Sequence, residues 1–217
     1  MLAGRRFDAV IFDMDGLLLD SERPIRDAWL ALSSLTAEDY LLTVGRNRPD
    51  SLAILSEKLG SEAAAVTMYE RVDAHLAAQF QHRGFDLMPG ALALLQALHA
   101  QRVPLAVASS TRHAKVVERL SRAGILNFFG PIHGGDQVAR GKPHPDLFEL
   151  AARSLGRKAE RCLVFEDSGY GAQGALTAGM GVVLVPDLKT PEPALAARCL
   201  VLPTLEQVPA LLDRLLA

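Results

Sequence analysis

Little in this chain of 217 residues advertises a macromolecular partner. It has two cysteines, one tryptophan and three tyrosines. Two thiols cannot build a disulfide framework or a four-cysteine zinc site. Cys162 and Cys199 each lead into an apolar run, so they read as buried thiols of a reducing compartment. Basic residues are not in excess either: 23 Lys and Arg stand against 25 Asp and Glu, a net charge of −2. That balance, with no basic stripe, argues against nucleic-acid binding. No Lys/Arg cluster flanks an apolar segment as a membrane anchor would require, and the longest apolar runs are strand-sized, short of the ~20 residues of a spanning helix. Met1-Leu2-Ala3-Gly4-Arg5-Arg6 lacks the apolar core of a secretory signal. Internal repeats and low-complexity tracts are missing as well. These absences point to a globular protein of the cytoplasm, sized for one generous domain or a core carrying a smaller insertion. It is expected to be a monomer, although no pattern separates a dimer surface from core.

What is present is Val10-Ile11-Phe12-Asp13-Met14-Asp15-Gly16. A short apolar run of this kind reads as a fully buried strand of a parallel sheet. It ends in two carboxylates one residue apart, which are costly to bury unless a cation sits between them.

The first strand is expected over residues 7–12. Ser21 can cap a helix running through Trp29 and Leu32. From there to about His82 the pattern is helical only, with Leu52, Leu55 and Leu59, then Val66, Tyr69, Val72 and Leu76, at helical spacing. After Pro104 strands return regularly, at 104–108, 131–133, 162–165, 182–185 and 200–202, alternating with helices at 91–101, 113–123 and 146–155, a small-residue helix to Met180 and a last one after Thr204. Such alternation argues for an α/β fold with a doubly wound, mostly parallel sheet, a Rossmann-like core. The helical stretch reads as an inserted all-helical domain: residues 19–85, against an α/β core of 1–18 and 86–217.

In open α/β sheets ligands bind outside the carboxyl ends of the strands. The residues there are Asp13 and Asp15, then Ser109, then Lys142 on a loop, then Glu166 and Asp167. Carboxylates with few other ligand types suit Mg²⁺, which pairs with substrate phosphate. A hydroxyl, backbone amides and an ammonium are what hold a phosphoryl group. Each piece alone has an ordinary use as a turn, a cap or a solvated charge; their joint order, each at a strand end, does not.

Asp13-Met14-Asp15-Gly16, Ser109, Gly141-Lys142-Pro143 and Glu166-Asp167 resemble, in order, the four motifs of the haloacid dehalogenase superfamily. Asp20-Ser21-Glu22, Met88-Pro89-Gly90 and the run 142–148 are similar to its subgroup of phosphoglycolate phosphatase, β-phosphoglucomutase and pseudouridine-5′-phosphatase-like enzymes. The resemblance implies a helical cap over the site and an Mg²⁺-dependent phosphomonoester hydrolase. Its substrate would be a small phosphorylated metabolite: a sugar, nucleoside or glycolate-type phosphate. Asp13 would be the nucleophile, forming an aspartyl-phosphate. Asp15 would be the acid and then the base, with its proton affinity raised by burial beside another acid. The metal would be held by Asp13, the Asp15 carbonyl and Asp167, with Glu166 beside them, and the phosphoryl group by Ser109, the Ser110 amide and Lys142.

Two rivals follow. Mutases of the subgroup carry a cap histidine where this chain has Ile25, which favours hydrolysis, but Arg48 falls near a cap arginine that meets a second phosphate, and Glu22 is a further cap-side candidate. A phosphosugar mutase is therefore the alternative within the family. The stretch between Trp29 and Gly45 is also several residues shorter than the family's. From another class, Gly169-Tyr170-Gly171-Ala172-Gln173-Gly174 matches a dinucleotide fingerprint with Asp187 following, the mark of a nicotinamide-dependent oxidoreductase, except that Glu166 and Asp167 would meet the pyrophosphate. His75, His82, His99, His113, His133 and His144 make no metal-ligand spacing and read as structural.

Overall fold

The computed structural model describes residue 2, residues 4–81 and residues 83–216; Met1, Ala3 and His82, which the sequence reading touches, lie outside the described residues. Six strands form one sheet in the order β3-β2-β1-β4-β5-β6, and every adjacent pair is parallel. They are β1 (Ala9–Phe12), β2 (Leu105–Ser109), β3 (Ile132–Gly134), β4 (Cys162–Glu166), β5 (Gly181–Leu184) and β6 (Leu200–Val201). β1 is central, flanked by β2 and β4, and all four of its residues are buried. Its side chains alternate between the two faces: Val10 and Phe12 pack with Leu94, Val107 and Phe165, whereas Ala9 and Ile11 pack with Phe148, Val164 and Val182. An all-apolar run is thus the signature of a strand covered on both sides.

The helices follow as expected, with a few shifts. α1 (Glu22–Leu32), α2 (Ala37–Leu41), α3 (Arg48–Leu59) and α4 (Glu62–Gln79) lie between β1 and β2 in sequence, and α5 (Ala91–Ala100) leads into β2. α6 (His113–Arg122), α7 (Asp146–Ser154), α8 (Gly169–Thr177), α9 (Pro193–Ala196) and α10 (Leu212–Leu215) complete the chain. No helix among the described residues is long and apolar enough to cross a membrane. Helices α1–α4 bury their own cluster, with Trp29, Leu55, Val72 and Leu76 at its centre. The two connections to this helical block run side by side: Asp20 N–H donates to the Asp86 carbonyl and Met88 N–H to the Leu18 carbonyl, both at 2.9 Å.

Three local expectations need correction. The first strand begins at Ala9 rather than residue 7, although Phe7 still bridges to Leu216. The last helix is broken into two 3₁₀ turns and α10, because Pro209 cannot continue a helix begun at Leu205. Ser21 stands at the N-cap of α1 but makes no capping bond; its hydroxyl donates elsewhere, to Asp15. Cys162 and Cys199 are free and buried, and burial pushes both thiols up to about 11, so they are inert as nucleophiles.

Candidate active site

β1 delivers Asp13 to the rim of the sheet, where its N–H donates to the Phe165 carbonyl of β4 at 3.0 Å. Lys142, from the loop before α7, reaches the same spot and is 1% exposed. Its Nζ donates to Asp13 Oδ1 and to Glu166 Oε1, each at 2.5 Å. The cation that a buried acidic strand end calls for is therefore this lysine. Burial alone would lower its proton affinity, but the charges of Asp13 and Glu166 and the hydrogen bonds to both outweigh that and hold the ammonium above the usual lysine range.

One cation does not balance the acids. Asp13, Glu166 and Asp167 each offer a carboxylate oxygen within 4.8 Å of the others, and all three residues are buried. Burial raises Asp13 well above the usual carboxylate range; Lys142 pulls it down, and Glu166 and Asp15 push it up again. Burial likewise raises Asp167, with the charges of Glu166 and Asp13 adding to it. Gly16, at φ 77°, has no room for a side chain: a Cβ there would stand 2.6 Å from Asp167 Oδ2 and 3.3 Å from Asp187 Oδ2. That second oxygen is buried and without a hydrogen-bond partner among the described residues, while Asp187 Oδ1 pairs with Arg23 at 2.6 Å. An all-oxygen donor set short of positive charge is what a hard divalent cation such as Mg²⁺ fits. Glu166 contributes charge to this set with both oxygens engaged, since Oε2 accepts from the N–H and the hydroxyl of Ser168 at 2.9 Å each.

Asp15 lies in different surroundings. Its Oδ1 accepts from the Ser21 hydroxyl at 2.5 Å and from Arg119 Nη1 at 2.6 Å, and its Oδ2 accepts from the Thr111 hydroxyl at 2.7 Å. Three donors hold this carboxylate, and it stands near enough to Asp13 and Glu22 for its charge to raise both of those acids. The two acids of one dipeptide repeat are sorted by their neighbours, one into a carboxylate cluster and one into a nest of donors.

A cleft of about 160 Å³ opens between the rim and the helical block. Asp13, Asp15, Ser109, Ser110, Lys142 and Asp167 line it from the sheet side, and Glu22, Ile25, Tyr40 and Arg48 from the helices. Glu166 does not reach it and stands beneath Lys142. Ser110 donates its hydroxyl to the Gly45 carbonyl at 3.4 Å, so the loop before α3 is seated on the rim. Arg48 lies 4.6 Å over the Tyr69 ring and 3.8 Å from Asp73, which also pairs with Lys115 at 2.6 Å.

Glu22 accepts from the Tyr40 hydroxyl at 2.6 Å. Burial, then the charge of Asp15, push its carboxyl up to about 7, against the pull of the Tyr40 hydrogen bond. An acid raised in the folded state keeps its proton where the unfolded chain has lost it. Stability therefore falls as pH rises from about 4.5 to about 7. Glu22→Gln, which carries no such charge, is expected to melt higher than wild type above pH 7, with the difference vanishing below pH 4.5. Melting curves recorded without divalent metal check this; a pH-independent difference would count against it.

Residues 7–179 match the haloacid dehalogenase-like hydrolases. The chain belongs to that family. Among its relatives is a Drosophila melanogaster protein named "Probable pseudouridine-5'-phosphatase", 34% identical over 200 residues, which span 84% of this chain and 83% of that one. A phosphorylated carbohydrates phosphatase of Thermotoga maritima is 32% identical over 178 residues, 80% of this chain and 82% of the relative. Among solved structures, CbbY of Rhodobacter sphaeroides in complex with phosphate superposes with a TM-score of 0.77 at 26% identity, covering 93% of this chain and 96% of that one. The named curated relatives are phosphatases of this haloacid dehalogenase-like family, and the six-stranded parallel sheet is the family's Rossmann-like core.

Within this family the glycine fingerprint has a structural use. A Cβ on Gly171 would overlap the Glu166 carboxylate, and one on Gly174 would press on the His144 carbonyl at 3.0 Å. The room these glycines leave is filled by Glu166 and by α7, so no pyrophosphate cradle forms there. Sequence reasoning missed Ser21, Thr111 and Arg119 around Asp15. Arg119 follows the buried Val116 of α6 by three positions, so a cation flanking the buried face of the helix was the available signal.

Proposed function

We propose that this haloacid dehalogenase-like protein is an Mg²⁺-dependent phosphomonoester hydrolase of small phosphorylated metabolites: sugar, nucleoside or glycolate-type phosphates. The observation that carries the reading is Asp13, buried at the cleft floor with Lys142 on one oxygen and an under-neutralised acid cluster around it. Asp13 would attack phosphorus while the bond to the leaving oxygen breaks, giving an aspartyl-phosphate. Asp15 would give its proton to that oxygen, and would take one from the water that then attacks the aspartyl-phosphate. Ser109, the Ser110 amide and Lys142 would hold the phosphoryl oxygens as charge shifts among them. Asp13, the Asp15 carbonyl and Asp167, with Glu166 alongside, would hold Mg²⁺, which supplies positive charge against the phosphoryl group. Residues 19–85 would act as the cap over a core of 1–18 and 86–217, with Glu22 and Arg48 presented to the leaving group and bulk water excluded on closure. Ile25, apolar where a mutase needs a polar cap group, favours release of phosphate over its return to a sugar.

The test is phosphate release from a panel of phosphorylated metabolites and from p-nitrophenyl phosphate. Release is expected with Mg²⁺, loss on chelation, and recovery when the metal is restored. In parallel, Mg²⁺ should raise the melting temperature, more at pH 8 than at pH 5, because protons replace the metal's charge on the raised carboxyls as pH falls. Turnover that survives chelation, or bisphosphate-primed isomerisation of a sugar monophosphate in place of hydrolysis, would overturn the assignment.

A further inference from the structure

Arg119 is placed to do more than pair a surface charge. It projects from α6, outside the strand-end loops that carry the other site residues, and its guanidinium meets Asp15 Oδ1 at 2.6 Å, with side-chain exposures of 15% and 12%. It is the only ion-pair partner of Asp15 among the described residues; the other two donors, Ser21 and Thr111, are neutral hydroxyls. Behind it the Phe85 ring lies 5.0 Å from the guanidinium carbon, which fixes the side chain from the far side. Bracing of this kind narrows the orientations of a carboxyl that must meet one oxygen of a bound ester.

We propose that Arg119 is a positioning residue for proton transfer to the leaving group, an inference that rests on the hydrolase reading above. In the first half-reaction Asp13 bonds to phosphorus, the P–O bond of the ester breaks, and the proton on Asp15 passes to the departing oxygen. Asp15 is left as a carboxylate, and the Arg119 charge meets it as it forms. In the second half, water bonds to phosphorus, the Asp13–phosphorus bond breaks, and Asp15 takes the water's proton. Inorganic phosphate leaves and both acids return to their starting states. Arg119 borders the cleft, and in this scheme it acts through Asp15. The substrates that depend on it are those whose leaving group is a poor anion, that is, alkyl phosphates of sugar or polyol type. An aryl ester that departs as a stabilised phenolate needs no proton.

That contrast supplies the experiment. For Arg119→Met, kcat/KM with an alkyl phosphate such as glycerol phosphate is expected to fall roughly 10²-fold, in the range of general acid–base contributions. With p-nitrophenyl phosphate the fall should be far smaller, because the steps through alcohol release then need no acid. Arg119→Lys should recover part of the loss on the alkyl ester. If the methionine variant does not fold, the lysine variant carries the same comparison. Phe85→Leu, which removes the brace and leaves the ion pair, should show a smaller loss selective for the same alkyl ester. An equal loss on both esters would assign Arg119 to general electrostatics at the phosphoryl site and overturn the proposal. If the wild-type protein released phosphate from neither ester, the hydrolase reading itself would fall, and this inference with it.

Discussion

Lys142→Met is expected to destabilise the protein by about 3–5 kcal/mol, the usual cost of removing one partner from a buried ion pair. The lysine is 1% exposed and donates to Asp13 and Glu166 at once, so its loss leaves two buried carboxylates with no cation between them. Burial already resists the Asp13 charge, and Glu166 and Asp15 add to that resistance. The denaturation midpoint should therefore drop most at high pH, where these acids are forced to ionise, and recover partly at low pH. Adding Glu166→Gln to the methionine variant should restore part of the stability by removing one orphaned charge, yet no turnover, because the phosphoryl group still lacks its ammonium. Urea denaturation of the single and double variants, without metal, reads the first effect, and phosphate release reads the second. A double variant as unstable as the single would mean that Glu166 and Lys142 do not share a charge balance.

Asp13→Asn is expected to cut turnover by about 10⁴-fold or more, since the proposed nucleophile is then missing from a site whose parts act as a unit. Folding should be spared. The amide occupies the same volume, the buried cluster loses a negative charge that burial opposes, and Lys142 keeps Glu166 as its partner. Without metal the variant should melt no lower than wild type, and Mg²⁺ should shift its melting point less. Turnover within about tenfold of wild type, on a protein shown by mass to carry the substitution, would remove Asp13 from the mechanism.

The parts of this site that were legible in the sequence are those at strand ends. Asp13, Ser109 and Asp167 follow runs whose apolar character marks a strand buried on both faces, and the sheet rule then gathers them on one rim. Lys142 sits on a loop at the same rim and was read there with the strand-end residues, as the ammonium that a phosphoryl group calls for. The hidden parts are those that reach the site from a helix flank or through a local exchange of partners. Ser21 has the spacing of an N-cap, and nothing in one dimension says that its hydroxyl prefers Asp15. Arg119 is one of several cations on α6, and only the packing of Val116 and Leu120 against the core turns it toward the rim. Asp187 drew notice only as a ribose partner for a dinucleotide, whereas it is a buried acid held by Arg23 next to Gly16.

The order of the sheet also sets a calendar for the site. β1 comes early from the ribosome, yet Val10 pairs with Leu105 and Leu163, far later in the chain. The buried cluster of helices α1–α4 is drawn from a single stretch and can close while the first strand still waits for both neighbours. Asp13 meets Lys142 and Glu166 only after β4 has been made. The newborn chain therefore carries Asp13, the proposed nucleophile, long before it carries the charges that would let it act.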